Sequence, residues 1–105
     1  MASLSSKQQA FVVAVNHLLT YALSLGYSLT LGDAYRADTC THGHKNSTHR
    51  SRLAIDLNLF VDNEYITDSE HPAWEILHDY FELLGGSPMI SDDANHFSFE
   101  HGNVR

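Results

Sequence analysis

The sequence has little cysteine and little positive charge, and each shortage excludes a class of protein. Cys40 is the only cysteine, so the chain can form neither an intramolecular disulfide nor a cysteine-rich zinc module. Six Lys and Arg residues stand against thirteen Asp and Glu residues, which gives a formal net charge of -7. Binding to nucleic acid and electrostatic attachment to a membrane surface both require a basic footprint, so we expect neither.

The sequence also lacks a long apolar run. Its longest apolar segment, residues 10–25, is interrupted by Asn16 and His17 and is too short to span a bilayer. The first residues, MASLSSKQQ, contain no basic segment followed by an apolar one, so we expect no secretory signal. These features predict a protein that is made in a cytoplasm and does not insert into a membrane.

One domain covering residues 1–105 is expected, because a chain of 105 residues can bury one modest core and this one contains no repeat or linker. A first helix is predicted after Ser5 or Ser6, either of which could be its N-cap, and Gly26 would end it. Its apolar stripe consists of Phe11, Val15, Leu18, Leu19 and Ala22.

Alternation of apolar and polar residues predicts three strands. The clearest of them covers residues 53–61, and Asp56 lies in the middle of its non-core face. Because Asp is depleted in strands, an Asp in this position needs either open solvent or a partner. The core-facing set of this strand is Leu53, Ile55, Leu57, Leu59 and Val61. Shorter alternating segments at 27–31 and 96–100 predict two further strands, and His96 lies on the non-core face of the second one.

A second helix is predicted to begin at Pro72 and to end at Gly85, with a turn at Asp62-Asn63 before it. Its apolar face is formed by Trp74, Leu77, Phe81 and Leu84. Residues 32–52 are polar and aperiodic, and a loop of this length between two strong elements is expected to be functional. We therefore predict an α+β fold, in which two helices pack on one face of a small antiparallel sheet.

Eight histidines are many for a chain of this length, although most single histidines are ordinary surface or hydrogen-bonded residues. His17 and His78 fall within the predicted helices, so we interpret them in this ordinary way, and His71 precedes the second helix. The informative pattern is His49-x6-Asp56, followed along the chain by Asp93-x-x-His96.

This pattern suits a catalytic zinc site, which uses three protein ligands and leaves the fourth position to water. His49, Asp56 and His96 can converge on one metal ion if the strands that carry Asp56 and His96 are neighbours. Two neutral imidazoles and one carboxylate leave the metal with net positive charge, which acidifies its bound water. Asp93 lies one turn before His96 and could reach that water without being a ligand.

Three segments carry a resemblance to a known family. Residues 47–57, STHRSRLAIDL, closely resemble the SxHxxGxAxDL signature of M15-type zinc peptidases, the D-Ala-D-Ala carboxypeptidase and dipeptidase group. Residues 93–97, DANHF, resemble the closing DxxHF motif of that group, and residues 32–36, GDAYR, resemble the segment that supplies an active-site arginine. The sequence around the first motif, residues 45–60, is most similar to that of small phage endolysins that act as L-alanyl-D-glutamate peptidases.

The resemblance implies a DD-peptidase/hedgehog-like fold with Zn²⁺ bound by His49, Asp56 and His96. It also implies that Asp93 is the general base and that Arg36 binds the scissile carbonyl oxygen or a substrate carboxylate. The sequence departs from the family's pattern in two places, of which the second would form one wall of the cleft. Arg52 occupies the glycine position of the signature, and residues 85–92 are short and lack the tryptophan-glycine segment of the endolysins.

These observations predict a zinc-dependent peptidoglycan peptidase that hydrolyses a stem-peptide bond during host lysis. We expect a monomer that is made in the host cytoplasm and acts on the cell wall after release. Two alternatives remain open, namely a D-Ala-D-Ala carboxypeptidase or dipeptidase and a non-catalytic zinc-binding module. A metal-dependent nuclease fits the acidic balance poorly.

Four other polar residues have two interpretations each. Cys40, His42 and His44 could form a second metal cluster, or they are incidental residues of an exposed loop. Glu100 shares the predicted face of His96, so it either orients a ligand or simply faces solvent.

Overall fold

A computed structural model describes residues 3–32 and 53–100 of the chain. These residues form an α+β domain with two helices and a small antiparallel sheet, as the sequence predicted, and the sheet has four strands rather than the three expected. In chain order the elements are α1 (Leu4–Ser24), β1 (Ser28–Leu31), β2 (Ala54–Val61), β3 (Glu64–Ile66), α2 (Pro72–Leu83) and β4 (His96–Ser98).

Helix α1 begins earlier than the sequence analysis predicted. Ser3, rather than Ser5 or Ser6, is the N-cap, and its side chain accepts a hydrogen bond from the Ser6 backbone N–H at 3.1 Å. The prediction was wrong because a cap must have extended backbone just outside the helix, and Ser3 is the serine that has it. The predicted stop is confirmed, since Gly26 follows the helix with a φ of 86°, which glycine adopts without strain.

Helix α2 begins at Pro72, as predicted. The Nδ1 atom of His71 accepts a hydrogen bond from the Ala73 N–H at 3.1 Å, so this histidine is the N-cap of the helix. Within residues 3–32 and 53–100, neither helix is long and apolar enough to cross a bilayer.

Strand β2 is the centre of the sheet. It pairs with β1 along one edge, and the Gly32 N–H continues that edge by donating to the carbonyl of Asp56. Strands β3 and β4 therefore both lie along the other edge of β2. β3 pairs with residues 59–61 and β4 with residues 54–56, so the two short strands follow one another along that edge.

Strand β3 is an element that the sequence analysis missed. Asp62 and Asn63 have φ values of 53° and 65°, and these two residues connect β2 to β3 as a tight hairpin turn. The turn was predicted, but the returning strand has only three residues, too few for alternation to be visible.

The core lies between the helices and one face of the sheet. Leu53, Ile55, Leu57 and Leu59 are buried there as predicted, together with Phe11, Leu18, Trp74, Leu77, Phe81 and Phe97. Val61, the last member of the predicted core-facing set, is only partly buried, and Leu31 at the end of β1 is 64% exposed. Its strand, β1, is flanked by β2 on one side only within the described residues, so its end is poorly covered.

Candidate metal centre

Asp56 and His96 lie directly opposite each other on neighbouring strands. They form a register pair of the antiparallel β2–β4 ladder, and Oδ1 of Asp56 is 3.3 Å from Nδ1 of His96. Only 6% of the His96 side chain and 16% of the Asp56 side chain are exposed. The condition that these two residues lie on adjacent strands is therefore met.

The separation of these two atoms suits two ligands of one zinc ion. A charge-assisted hydrogen bond between an imidazolium and a carboxylate is typically about 2.7–2.9 Å long, shorter than the 3.3 Å found here. Zinc–nitrogen and zinc–oxygen bonds of about 2.1 Å at a tetrahedral angle place the two ligand atoms about 3.4 Å apart. The carboxylate and the imidazole thus fit zinc in both their chemistry and their spacing.

The other predicted residues of the centre lie outside the described residues. These are the third zinc ligand His49, the predicted arginine Arg36, and the alternative cluster of Cys40, His42 and His44. Between residues 3–32 and 53–100 alone, no group of three or more His, Cys, Asp or Glu side chains is arranged to hold a metal ion. The complete ligand set stays a prediction.

Asp93 lies in the turn that leads into β4. Its backbone carbonyl accepts a hydrogen bond from the His96 N–H at 3.0 Å, and its own N–H donates to the Ile90 carbonyl at 3.0 Å. The Asp93 side chain is exposed, so it is accessible to solvent and to a ligand. One short turn thus carries both the predicted general base and a predicted zinc ligand.

The rest of this turn is held from two sides. The carbonyl of Asn95 accepts a hydrogen bond from the Leu57 N–H of β2 at 2.9 Å. The carbonyl of Ala94 lies 2.7 Å from Nε2 of His78 in helix α2, which therefore donates the proton. Together with the Asp93 bond, three successive carbonyls of the turn are hydrogen-bonded.

His78 was interpreted as an ordinary surface or hydrogen-bonded histidine, and it is hydrogen-bonded, but its place beside this turn was not predicted. It is 2% exposed, and its ring stacks on Phe97 with the ring centres 4.0 Å apart. Burial lowers the pKa of His78, and the bond to Ala94 opposes this effect only in part, so the neutral ring is favoured. Its spacing of four residues from Trp74 and three from Phe81 was the available signal, because it places His78 on the core side of α2.

Gly32 allows the backbone of β1 to approach Asp56 closely. Its N–H donates to the Asp56 carbonyl at 2.7 Å, and a Cβ atom at this position would lie 3.1 Å from both the Cβ and the carbonyl oxygen of Asp56. A larger residue here would push directly against the backbone that carries the predicted ligand. Glu100, by contrast, is exposed and lies beyond the end of β4, which favours its solvent-facing interpretation.

Comparisons with known proteins assign no family to this chain. No family model matches it. The chain is similar to an alpha-glucosidase of Hordeum vulgare, with 30% identity over 71 residues, which are 65% of this chain. The chain spans 8% of the length of that enzyme, so the similarity concerns one small segment of a much larger protein.

Proposed function

We propose that this protein is a zinc-dependent peptidase that hydrolyses a stem-peptide bond of peptidoglycan, namely the L-alanyl-D-glutamate bond. The observation that carries the proposal is the Asp56–His96 pair, whose Oδ1 and Nδ1 atoms lie 3.3 Å apart on adjacent strands. These are the two motif residues whose convergence required the strands to be neighbours. The α+β architecture agrees with the DD-peptidase/hedgehog-like fold that the motifs imply.

His49, Asp56 and His96 would hold Zn²⁺, which when bound polarises the scissile carbonyl and lowers the pKa of a water molecule to about 7. The burial of His96 and Asp56 supports this role, because ligands shielded from bulk water hold a metal ion with less competition from solvent. The two imidazoles are neutral ligands, so Asp56 supplies the only negative charge of the set.

Asp93 would accept the proton of the attacking water and deliver it to the leaving amine. Its place in the turn before His96 supports this role, since the His96 N–H···Asp93 carbonyl bond keeps the two residues adjacent while the carboxylate stays exposed. Arg36 would donate hydrogen bonds to the charge that develops on the scissile carbonyl oxygen. The partner is the stem peptide, and a monomer suffices for these roles.

A metal-binding assay combined with murein digestion tests the proposal. The wild-type protein is expected to bind about one equivalent of Zn²⁺, measured by mass spectrometry of the metal. His96→Ala should lose both zinc and hydrolysis, because it removes a ligand. His17→Ala, the same change at an exposed position of α1, should keep both.

The identity of the released fragments separates the alternatives. Cleavage at L-alanyl-D-glutamate and cleavage at D-Ala-D-Ala release peptides of different mass. Zinc binding without any release of peptide would indicate a non-catalytic zinc-binding module. Full zinc occupancy in His96→Ala would contradict the ligand assignment and direct attention to Cys40, His42 and His44.

A further inference from the structure

The edge of β2 that carries β3 and β4 is interrupted between them. β3 pairs with residues 59–61 and β4 with residues 54–56, so Leu57 and Asn58 face neither strand on that edge. A cavity of about 240 Å³ opens at this interruption, and we call it the β3–β4 notch. Leu57, Ile66 and Trp74 are its aliphatic and indole lining, and its polar lining residues include Asn58, Asp92 and Asn95.

Three lining residues of the notch are close in sequence to predicted residues of the candidate metal centre. Asn58 follows Asp56 by two residues, so both side chains lie on the same face of β2. Asn95 immediately precedes His96, and Asp92 immediately precedes Asp93. Two residues of a strand span about 6.6 Å, and an extended peptide advances by about 3.3 to 3.6 Å per residue. A peptide whose scissile bond lies at Asp56 would therefore place its next one or two residues in the notch.

The side chain of Asn58 is held in one orientation. Its Nδ2 donates to Oγ1 of Thr30 at 3.2 Å, and its Oδ1 accepts a long hydrogen bond of 3.4 Å from the hydroxyl of Tyr65. An amide group has two donor hydrogens and two acceptor lone pairs, so one of each remains for a ligand. A fixed amide of this kind matches the N–H and C=O of a peptide bond.

The charge of the notch selects against anions. Among its described lining residues, Asp92 is the only charged one, and the other polar groups are amides and hydroxyls. A carboxylate in the notch would face Asp92 without a compensating cation from these residues. An uncharged amide with a small apolar side chain would instead contact Asn58 and Asn95 and lie against Trp74.

We propose that the β3–β4 notch binds an uncharged residue next to the scissile bond, which in the L-alanyl-D-glutamate bond is the L-alanyl side. This inference rests on the proposed function for the identity of the substrate. The L-alanyl residue carries no charge, whereas the glutamyl residue carries a carboxylate that Asp92 would repel. The notch thus fixes the direction in which the stem peptide crosses the sheet.

A binding experiment tests the notch without any catalysis. The probes are N-acetyl-L-alanine methylamide and the matched N-acetyl-L-glutamate methylamide, titrated separately into the whole protein. The side-chain amide NMR signals of Asn58 and Asn95 should shift saturably with the alanine probe and stay in place with the glutamate probe. The amide signal of Asn16, exposed on α1, is the internal control and should not move. Equal shifts with both probes, or none with either, would overturn the proposal.

A kinetic experiment places the notch in the reaction. Asn58→Ala should raise KM for murein about 10-fold and change kcat by less than about twofold, because it removes binding that substrate and transition state share. Asn16→Ala, the same substitution on α1, should leave both constants unchanged. Thr30→Val removes the hydroxyl partner of Asn58 but keeps the amide in the notch, so it should raise KM less than Asn58→Ala does, and a larger rise than in Asn58→Ala would overturn the assignment.

The outcomes distinguish the notch from the proposed function. Zinc-dependent hydrolysis of murein with unchanged KM in Asn58→Ala would overturn the notch and leave the peptidase intact. Saturable shifts with the alanine probe in a protein that hydrolyses nothing would support the notch as a neutral-amide site and overturn the peptidase.

Discussion

The two halves of strand β2 have the same alternating sequence and yet occupy different environments. In the half that pairs with β4, residues on both faces are buried, including Ala54 and, across the ladder, His96 and Ser98. In the half that pairs with β3, Leu59 is buried but Val61 and Phe60 are only partly buried, and Tyr65 across the ladder is 53% exposed. Alternation along a strand therefore decides which side chains leave the core but not whether they reach solvent.

This difference separates two kinds of chemistry on one sheet face. Asp56 lies in the covered half, where a lower effective dielectric constant strengthens every interaction of its carboxylate. Asn58 lies two residues away, between the two halves, and is half-buried, so its neutral amide can exchange water for a ligand at little cost. The covered half suits ion binding, and the boundary between the halves suits recognition of an uncharged group.

The largest expected effect concerns Asp93, an exposed residue in the turn that leads into β4. Asp93→Asn should reduce murein hydrolysis by about 10²- to 10⁴-fold, because the amide cannot take the proton that a positioned general base removes. Zinc content and the free energy of unfolding should stay at wild-type values, since Asn has nearly the size of Asp and the Asp93 side chain is exposed.

Asp79→Asn is the matched control for Asp93. It makes the same change at an exposed position of helix α2 and should keep hydrolysis at the wild-type rate. Loss of zinc in Asp93→Asn would make Asp93 a ligand, and hydrolysis at the wild-type rate would contradict the general-base role.

A smaller effect should appear when the hydrogen bond from His78 of helix α2 to the Ala94 carbonyl, in the turn before β4, is removed. His78→Leu leaves the buried carbonyl of Ala94 without its donor and should lower the free energy of unfolding by about 1–3 kcal/mol. His78→Gln should lose less, because the Gln amide can still donate to that carbonyl. Urea denaturation of the two variants gives the comparison.

Hydrogen exchange locates this effect within the sheet. The Leu57 N–H, which donates to Asn95, should exchange faster in His78→Leu because the turn that carries Asn95 is loosened. The N–H groups of Glu64–Ile66 in β3 should change little, since that strand is joined to β2 by the hairpin turn. Equal acceleration in both halves would show that His78 supports the whole fold rather than the turn.

The fold was predictable wherever a period extended over many residues. The two helices and the inward set of β2 were visible for this reason, and glycine or proline marked their ends. Strand β3 was invisible because three residues show no period, although Asp62 and Asn63 are a known hairpin signal. The exposure of Leu31 could not be predicted, because it depends on which side of β1 receives a neighbour.

The residue types of the candidate site could be predicted from the sequence, but the residues that hold them in place could not. The Asp56–His96 contact joins residues 40 positions apart, and the motifs pointed to both residues without any knowledge of the pairing. The roles of His78 and Gly32 depend on tertiary contacts, with the Ala94 carbonyl and with the Asp56 backbone respectively. No local pattern encodes such contacts, so neither role could be derived from the sequence.

The smallest expected effect is a pH dependence of the free energy of unfolding that originates at His78. Burial lowers the pKa of His78 in the folded protein, with the nearby His96 acting in the same direction and Asp79 and the Ala94 bond opposing it. The unfolded chain, in which this histidine has its ordinary pKa of 6.5, therefore binds more protons than the folded chain as the pH falls through 6.5. The free energy of unfolding should decrease on acidification below that pH, by at most about 1.4 kcal/mol per pH unit for one proton, until the folded protein also protonates.

Urea denaturation from pH 8 to pH 5 measures the slope, which should be smaller in His78→Leu than in the wild type. His17→Leu changes an exposed histidine of α1 and should keep the wild-type slope, so an equal reduction in both variants would remove His78 as the source.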